Sequence, residues 1–293
     1  MTFFVLLIVE GALAGMVYAL VALAFVLVYK ASRMINFALG EWVVLGARLV
    51  ATGAQVLGLS LGAAVGLGIA GMVAFAVTFN RWVVRPLVAR PLISLLMVTI
   101  GLGILIRGGV TLIFAGVPSQ IPLPVLDSPT ILGVSIAPEK IMAAVVAVLC
   151  MIAVTWFFRS TRTGLALRAI ADDQQTALAV GIDVHHHLGI TWAMAGALAA
   201  LAGTLWSVAS GGGFSLVLLG LKVFPIVVIG GLDSIPGTIV SAVAMGVLES
   251  LTVGYLDPIL GGGFSTVLSY LVLLTVLLVR PYGLFGRPAV ERI

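Results

Sequence analysis

Nine apolar runs dominate this chain and limit what it can fold into. They occupy roughly 3 to 29, 34 to 52, 56 to 79, 92 to 115, 141 to 158, 188 to 209, 216 to 232, 236 to 256 and 265 to 279. A helix rises about 1.5 Å per residue and a bilayer core is about 30 Å thick, so most of these runs are long enough to cross. Only 9% of the residues are charged and 61% are hydrophobic, against about 25% charged in a soluble domain. The chain is therefore read as an all-α, polytopic transmembrane helical bundle of eight or nine crossings. The ninth is the run from 216 to 232, which is short and interrupted by Lys222 and Pro225. Residues 1 to 293 leave no room for a large soluble domain and are read as one membrane domain. The N-terminus lacks the basic region of a cleaved signal peptide and serves as the first helix.

The net charge of +4 would suggest nucleic acid for a soluble protein; here the placement of the charges is what carries information, and no nucleic-acid partner is expected. The breaks at 30 to 33, 81 to 90, 159 to 187 and 280 to 293 hold eleven of the 15 basic residues, and the opposite set of breaks holds only Lys140. By the preference of Lys and Arg for the cytoplasmic side, the N-terminus is expected outside and the C-terminus inside. Cys150, the single cysteine, excludes an intrachain disulfide and a cysteine metal site.

The one long polar interval, residues 159 to 187, carries six of the chain's 26 charged residues. Asp172 followed by Gln175 reads as a helix N-cap with its capping-box partner, and Gly181 as the left-handed residue that ends the helix. The helix so defined, Asp173 to Val180, is too short to be stable alone. It shows a small apolar face of Ala177, Leu178 and Val180, so it is expected to dock on a soluble partner. The plainer reading is a surface loop containing a turn of helix.

Five ionisable residues fall inside spans, where charge is costly and marks function by default. Counted by helix rise, Arg48, Arg107 and Glu249 lie about 20 to 22 Å from the cytoplasmic ends of their spans, and Glu10 and Lys222 about 9 to 11 Å from the outer ends of theirs. The five are thus expected at one level, net positive, lining the entry to a translocation path for a carboxylate-bearing substrate. The alternative is that Glu10 and Glu249 simply neutralise the bases as interhelical pairs. Asn36 and Glu41 are placed near the cytoplasmic end of the second span, Asn36 as a cap and Glu41 pairing with Lys30 or Arg33 to fix the turn. Consecutive His185, His186 and His187 point in different directions on a helix and are read as solvated residues, with no metal site. Trp42, Trp82, Trp156, Trp192 and Trp206 are read as interfacial anchors, and Gly62, Gly66, Gly68, Gly71, Gly196 and Gly203 as sites of close helix packing.

Laid out in order, INFALGEW (Ile35 to Trp42), VVRPL, VTIGLGILI, TRTGLALRAIADDQQTALAVGI, GLKVFPIVVIGGLDSIPG and the terminal VRPYGLFG make the chain resemble the membrane permeases of branched-chain amino-acid (LIV-type) ABC importers. Ala177 and Gly181 match the Ala and Gly of the coupling segment common in importer permeases, whereas Gln175 stands where many have Glu. The resemblance implies a non-catalytic subunit in the bacterial inner membrane, paired with a second homologous permease. Two cytoplasmic ATPases would dock on 159 to 187, around Arg168, Asp172, Asp173, Gln175, Ala177 and Gly181, and a periplasmic binding protein would deliver substrate. ATP and Mg would sit on the ATPases, since this chain has no GxxxxGK[ST] loop and no cofactor of its own. The rival is a self-sufficient secondary transporter or channel, against which the lack of a detectable repeat weighs; a sugar-type permease is disfavoured by INFALGEW and GLDSIPG.

Overall fold

A computed structural model of the chain describes residues 2–87, 92–117, 120–121, 129–131, 134–211 and 214–286. Apart from a two-residue hairpin pairing Thr130–Ile131 with Val134–Ser135, the described residues are helical or connecting. Among the described residues, six helices are long and apolar enough to cross a membrane: α1 (Thr2–Ser32), α3 (Leu61–Leu87), α4 (Leu92–Ile113), α5 (Pro138–Ser160), α8 (Val184–Ser210) and α10 (Ile235–Tyr255). Three shorter ones, α2 (Leu39–Gln55), α9 (Phe214–Gly230) and α12 (Phe264–Val279), complete the set. Between them lie α6 (Arg162–Asp172), α7 (Gln174–Ala179) and α11 (Asp257–Leu260). Each of the nine apolar runs thus carries a helix, and the fold is the polytopic bundle read from the sequence.

The departures are local. The run from 34 to 52 becomes helical only at Leu39, leaving Arg33 to Ala38 outside regular helix. At RWVVRPL, where a break is expected, the helix continues to Leu87 through a π-helical turn at Asn80–Val84. That wider turn lets the Arg85 N–H reach the Asn80 carbonyl just before Pro86, which has no N–H to give. The short run interrupted by Lys222 and Pro225 forms one helix straight through Pro225.

α1 is the centre of the bundle. Every residue from Val17 to Val28 is buried, and the helix packs against α5, α8, α9 and α10. Its long contact with α10 depends on Gly11, where a Cβ would fall 2.6 Å from the Gly246 carbonyl oxygen. α2 and α8 meet as closely: a Cβ on Gly203 would lie 2.2 Å from the Val43 carbonyl oxygen. Gly68, Gly71 and Gly196 also meet neighbouring helices, but Gly62 and Gly66 face open space. Trp42 and Trp192 are fully buried, packed with each other and with Phe79 at centroid distances of 5.4 to 5.7 Å. They are core residues and not interfacial anchors; Trp82 and Trp156 are exposed on the outside of the bundle.

One end of the bundle gathers the basic breaks. Arg33 donates to Asp233 and to the Ala171 carbonyl, both at 2.9 Å, Arg85 donates to the His185 carbonyl, and the Leu284 N–H donates to the Ile229 carbonyl. Arg90, Arg287 and Arg292 lie outside the described residues. The opposite end holds Lys140 paired with Glu10 at 2.7 Å.

Candidate functional site

The path from α1 into α2 decides where the membrane charges lie. A Cβ on Gly103 of α4 would sit 3.6 Å from the Ala38 Cα, and Gly103 is about 16 Å along α4 from Leu92. The chain therefore climbs from Arg33, at the basic end, to the middle of the bundle within five residues. An extended chain rising about 3.3 Å per residue covers that distance, whereas a helix would cover less than half of it. α2 thus starts in mid-membrane. Glu41 and Arg48 therefore stand further from the basic end than helix counting from residue 34 places them.

This breaks up the expected single level of five charges. Arg48 is carried to the far end, where its guanidinium donates to the Val117 carbonyl at 2.7 Å. Glu10 joins Lys140 at the same end. Glu41 rises to meet Arg107, whose Nε donates to Oε1 at 2.9 Å and whose Nη2 donates to the same oxygen. Its expected role beside Lys30 or Arg33 at the turn is therefore corrected: Glu41 is too deep, and Arg33 is engaged by Asp233 and Ala171. Lys222 pairs with Glu249. The mid-membrane charges are then Glu41, Arg107, Lys222 and Glu249, two acids and two bases, so the level carries no net charge.

The two mid-membrane pairs differ in what they leave open. Glu249 gives one oxygen to Lys222 and accepts from the Tyr18 hydroxyl at 2.9 Å with the other, and Trp206 stacks on Tyr18. Glu41 is 9% exposed in its side chain and uses one oxygen on Arg107; its Oε2 has no partner. Asn36, 2% exposed, turns Oδ1 onto the Ala38 N–H at 3.0 Å, an Asx turn that starts the helix although the N-cap position itself is Ala38. Its Nδ2 has no partner. Both groups line a cavity of about 160 Å³ bounded by Val21 and Phe25 of α1, Arg107 of α4, Gly220 and Phe224 of α9, and Tyr270 of α12. Its floor is tight: a Cβ on Gly40 would come within 2.7 Å of the Gly220 Cα.

At the basic end, the polar interval is built of two helices. Thr161 caps α6 by accepting from the Gly164 N–H at 2.9 Å, and Leu167, Ile170 and Ala171 form its buried side. The sequence signal was present, a Thr ahead of helically spaced apolar residues. Asp172 is the last residue of α6, and the cap of α7 is Asp173, accepting from the Gln175 and Thr176 N–H groups at 2.9 and 3.1 Å. The expected cap is thus one residue early, because Asp172 is still inside the preceding helix. Gly181 does take a left-handed conformation, φ 86°. The expected apolar face divides: Ala177 is buried at 3%, whereas Leu178 and Val180 are 53% and 71% exposed. Arg168 lies on α6, and Gln175 is exposed on α7. His185, His186 and His187 form the first turn of α8, capped by Asp183, which accepts from the His186 N–H at 3.0 Å. That bond holds the Asp183 carboxyl below its ordinary range.

Residues 7–280 match the family model described as the branched-chain amino acid transport system / permease component. The chain belongs to this family. Among the permease's relatives, the high-affinity branched-chain amino acid transport system permease protein LivH of Escherichia coli is 30% identical over 302 residues, covering 97% of this chain and 96% of LivH. BraD of Pseudomonas aeruginosa, which carries the same description, is 32% identical over 303 residues with the same coverage. A probable LivH of Methanocaldococcus jannaschii is 27% identical and covers 96% of this chain. Among solved structures, PsaBC of Streptococcus pneumoniae aligns with 93% of this chain and 91% of its own at a TM-score of 0.48 and 17% identity. The relatives named are permease subunits of transport systems. What sequence reading missed in this permease is the meeting of Asn36, Glu41 and Arg107, which share no local motif.

Proposed function

We propose that this permease forms the translocation path of an ATP-driven importer for branched-chain amino acids or related small carboxylate or amide substrates. It lies in the bacterial inner membrane with the N-terminus outside and the C-terminus inside, paired with a second homologous permease. Two ATPases bind on the cytoplasmic side at residues 159 to 187 and hold ATP and Mg; a periplasmic binding protein supplies substrate. The observation that carries the reading is the pair Leu178 and Val180, apolar and exposed on and just after a short capped helix at the basic end.

The connections around α7 suit transmission of a push. α6 follows α5 through Thr161, and Asp183 caps α8 directly after Gly181 and Ile182, so displacement of α6 and α7 pulls on both flanking spans. Arg33 supports a further link. It binds the Ala171 carbonyl at the end of α6 and Asp233 between α9 and α10, and it begins the segment that climbs to Asn36.

Replacing Leu178 or Val180 by Asp removes apolar contact and adds charge at the proposed ATPase contact. The expected result is a chain that inserts normally but no longer co-purifies with the ATPases from gently solubilised membranes, with uptake lost. Normal co-purification and coupled uptake in both variants would refute the docking assignment.

A further inference from the structure

Resting on the importer reading, we propose that the cavity at Asn36, Glu41 and Arg107 is the mid-membrane waypoint for a free α-amino acid. Arg107 takes the substrate carboxylate, Glu41 its ammonium, and the wall of Val21, Phe25 and Phe224 its apolar side chain.

The groups needed are present and not consumed by each other. A guanidinium has five N–H donors; Arg107 spends one from Nε and one from Nη2 on Glu41. The others remain on a side chain that is 58% exposed, in a geometry suited to a carboxylate. Glu41 Oε2 is a buried acceptor without a partner, and Asn36 Nδ2 a buried donor without one. Asn36 and Glu41 both line the cavity, and buried polar groups are almost always paired, so the two unpaired atoms on these residues call for a ligand with a donor and an acceptor close together once their side chains turn toward it. An α-amino acid carries its ammonium and carboxylate on one carbon, matching an acid and a base already held side by side. A monoamine or a simple carboxylate would satisfy only one of them.

The second mid-membrane pair serves as an internal contrast. Each oxygen of Glu249 already has a partner, Lys222 or Tyr18, so this pair leaves no orphaned carboxylate oxygen and acts in packing. The cavity volume of about 160 Å³ suits one small molecule, and the aliphatic and aromatic wall suits an uncharged side chain. Position supports the same assignment: a charged substrate crossing at this depth needs compensating charge where lipid gives none.

The test uses the whole importer in proteoliposomes with a photoreactive, diazirine-bearing leucine that keeps both its ammonium and its carboxylate. Illumination during turnover and peptide mapping are expected to place label on the segments containing Val21 to Phe25 or Phe224. Glu41→Gln and Arg107→Gln are each expected to lower that labelling and leucine uptake about tenfold or more, as lost charged hydrogen bonds do. The exchange E41K with R107E separates this role from a structural ion pair: it restores a salt bridge but reverses the polarity presented to substrate, so uptake and labelling should stay low. If the exchanged assembly fails to form, the labelling map of Glu41→Gln decides by itself. Label elsewhere in an importer that takes up leucine, or uptake restored by the exchange, overturns the site alone. Absence of uptake by the unsubstituted assembly, with its ATPases active, overturns the importer reading beneath it.

Discussion

Replacing Lys222 by Met leaves Glu249 as a buried carboxylate without its cation. The two side chains are 18% and 14% exposed, so the charge cannot relax into water, and removing one partner of such a pair costs about 3 to 5 kcal/mol. The Tyr18 hydroxyl still donates to Glu249 at 2.9 Å; because hydrogen bonds to charged groups are worth about 1.5 to 3 kcal/mol, the loss should fall near the lower bound, about 3 kcal/mol. Changing Glu249 to Gln in the same chain removes the orphaned charge and keeps an amide oxygen for Tyr18. The double variant is expected within about 1 kcal/mol of the parent, giving a coupling of at least about 2 kcal/mol in a double-mutant cycle. The assay is the denaturation midpoint of the purified permease in mild detergent for parent, both single variants and the double, with retention of secondary structure as a control. If the double variant is destabilised by the sum of the single effects, the pair is not coupled and its closure around Tyr18 does not hold the bundle.

Four further outcomes follow from the packing and the caps. Gly203→Val drives a side chain into the Val43 carbonyl, 2.2 Å from where its Cβ would lie, and should cost about 1 to 3 kcal/mol as overpacking; Gly62→Ala, with nothing within 4 Å, should leave the same denaturation midpoint unchanged. Asp173→Ala strips the Gln175 and Thr176 N–H groups of their acceptor and should weaken α7 by about 1 kcal/mol, read as faster amide exchange at Gln175 to Ala179. Asp172→Ala, one residue earlier and inside α6, should not; equal effects of the two would refute the reassigned cap.

Helical membrane architecture was legible from the chain because it depends on local composition: a run of about 20 apolar residues can satisfy its backbone in lipid only by bonding within itself. Gly181 was legible for a similar reason, since a positive φ is cheap only for residues such as glycine. The caps were legible to within a residue, as Asp173 in place of Asp172 illustrates, because adjacent carboxylates cannot be ranked without knowing where the preceding helix stops. Trp42 and Trp192 went the other way: their composition suits an interface, but their burial is set by Phe75 and Phe79 on a helix far along the chain.

The sequence alone determined where the apolar helices lie, the clustering of basic residues in alternate breaks and, through its ordered motifs, the family. Only the tertiary structure decided which charges meet. Helix counting put Glu41 near the basic end and Arg48 level with Arg107 and Glu249 because it assigned about 1.5 Å to every residue from 34 onward; the non-helical stretch from Met34 to Ala38, which ends in a turn at Phe37 and Ala38, advances further than a helix would and moves everything after it. Depth in a membrane is a sum over the whole preceding path, so one non-helical segment of five residues is enough to bring Glu41 to Arg107 and to open the cavity beside Asn36.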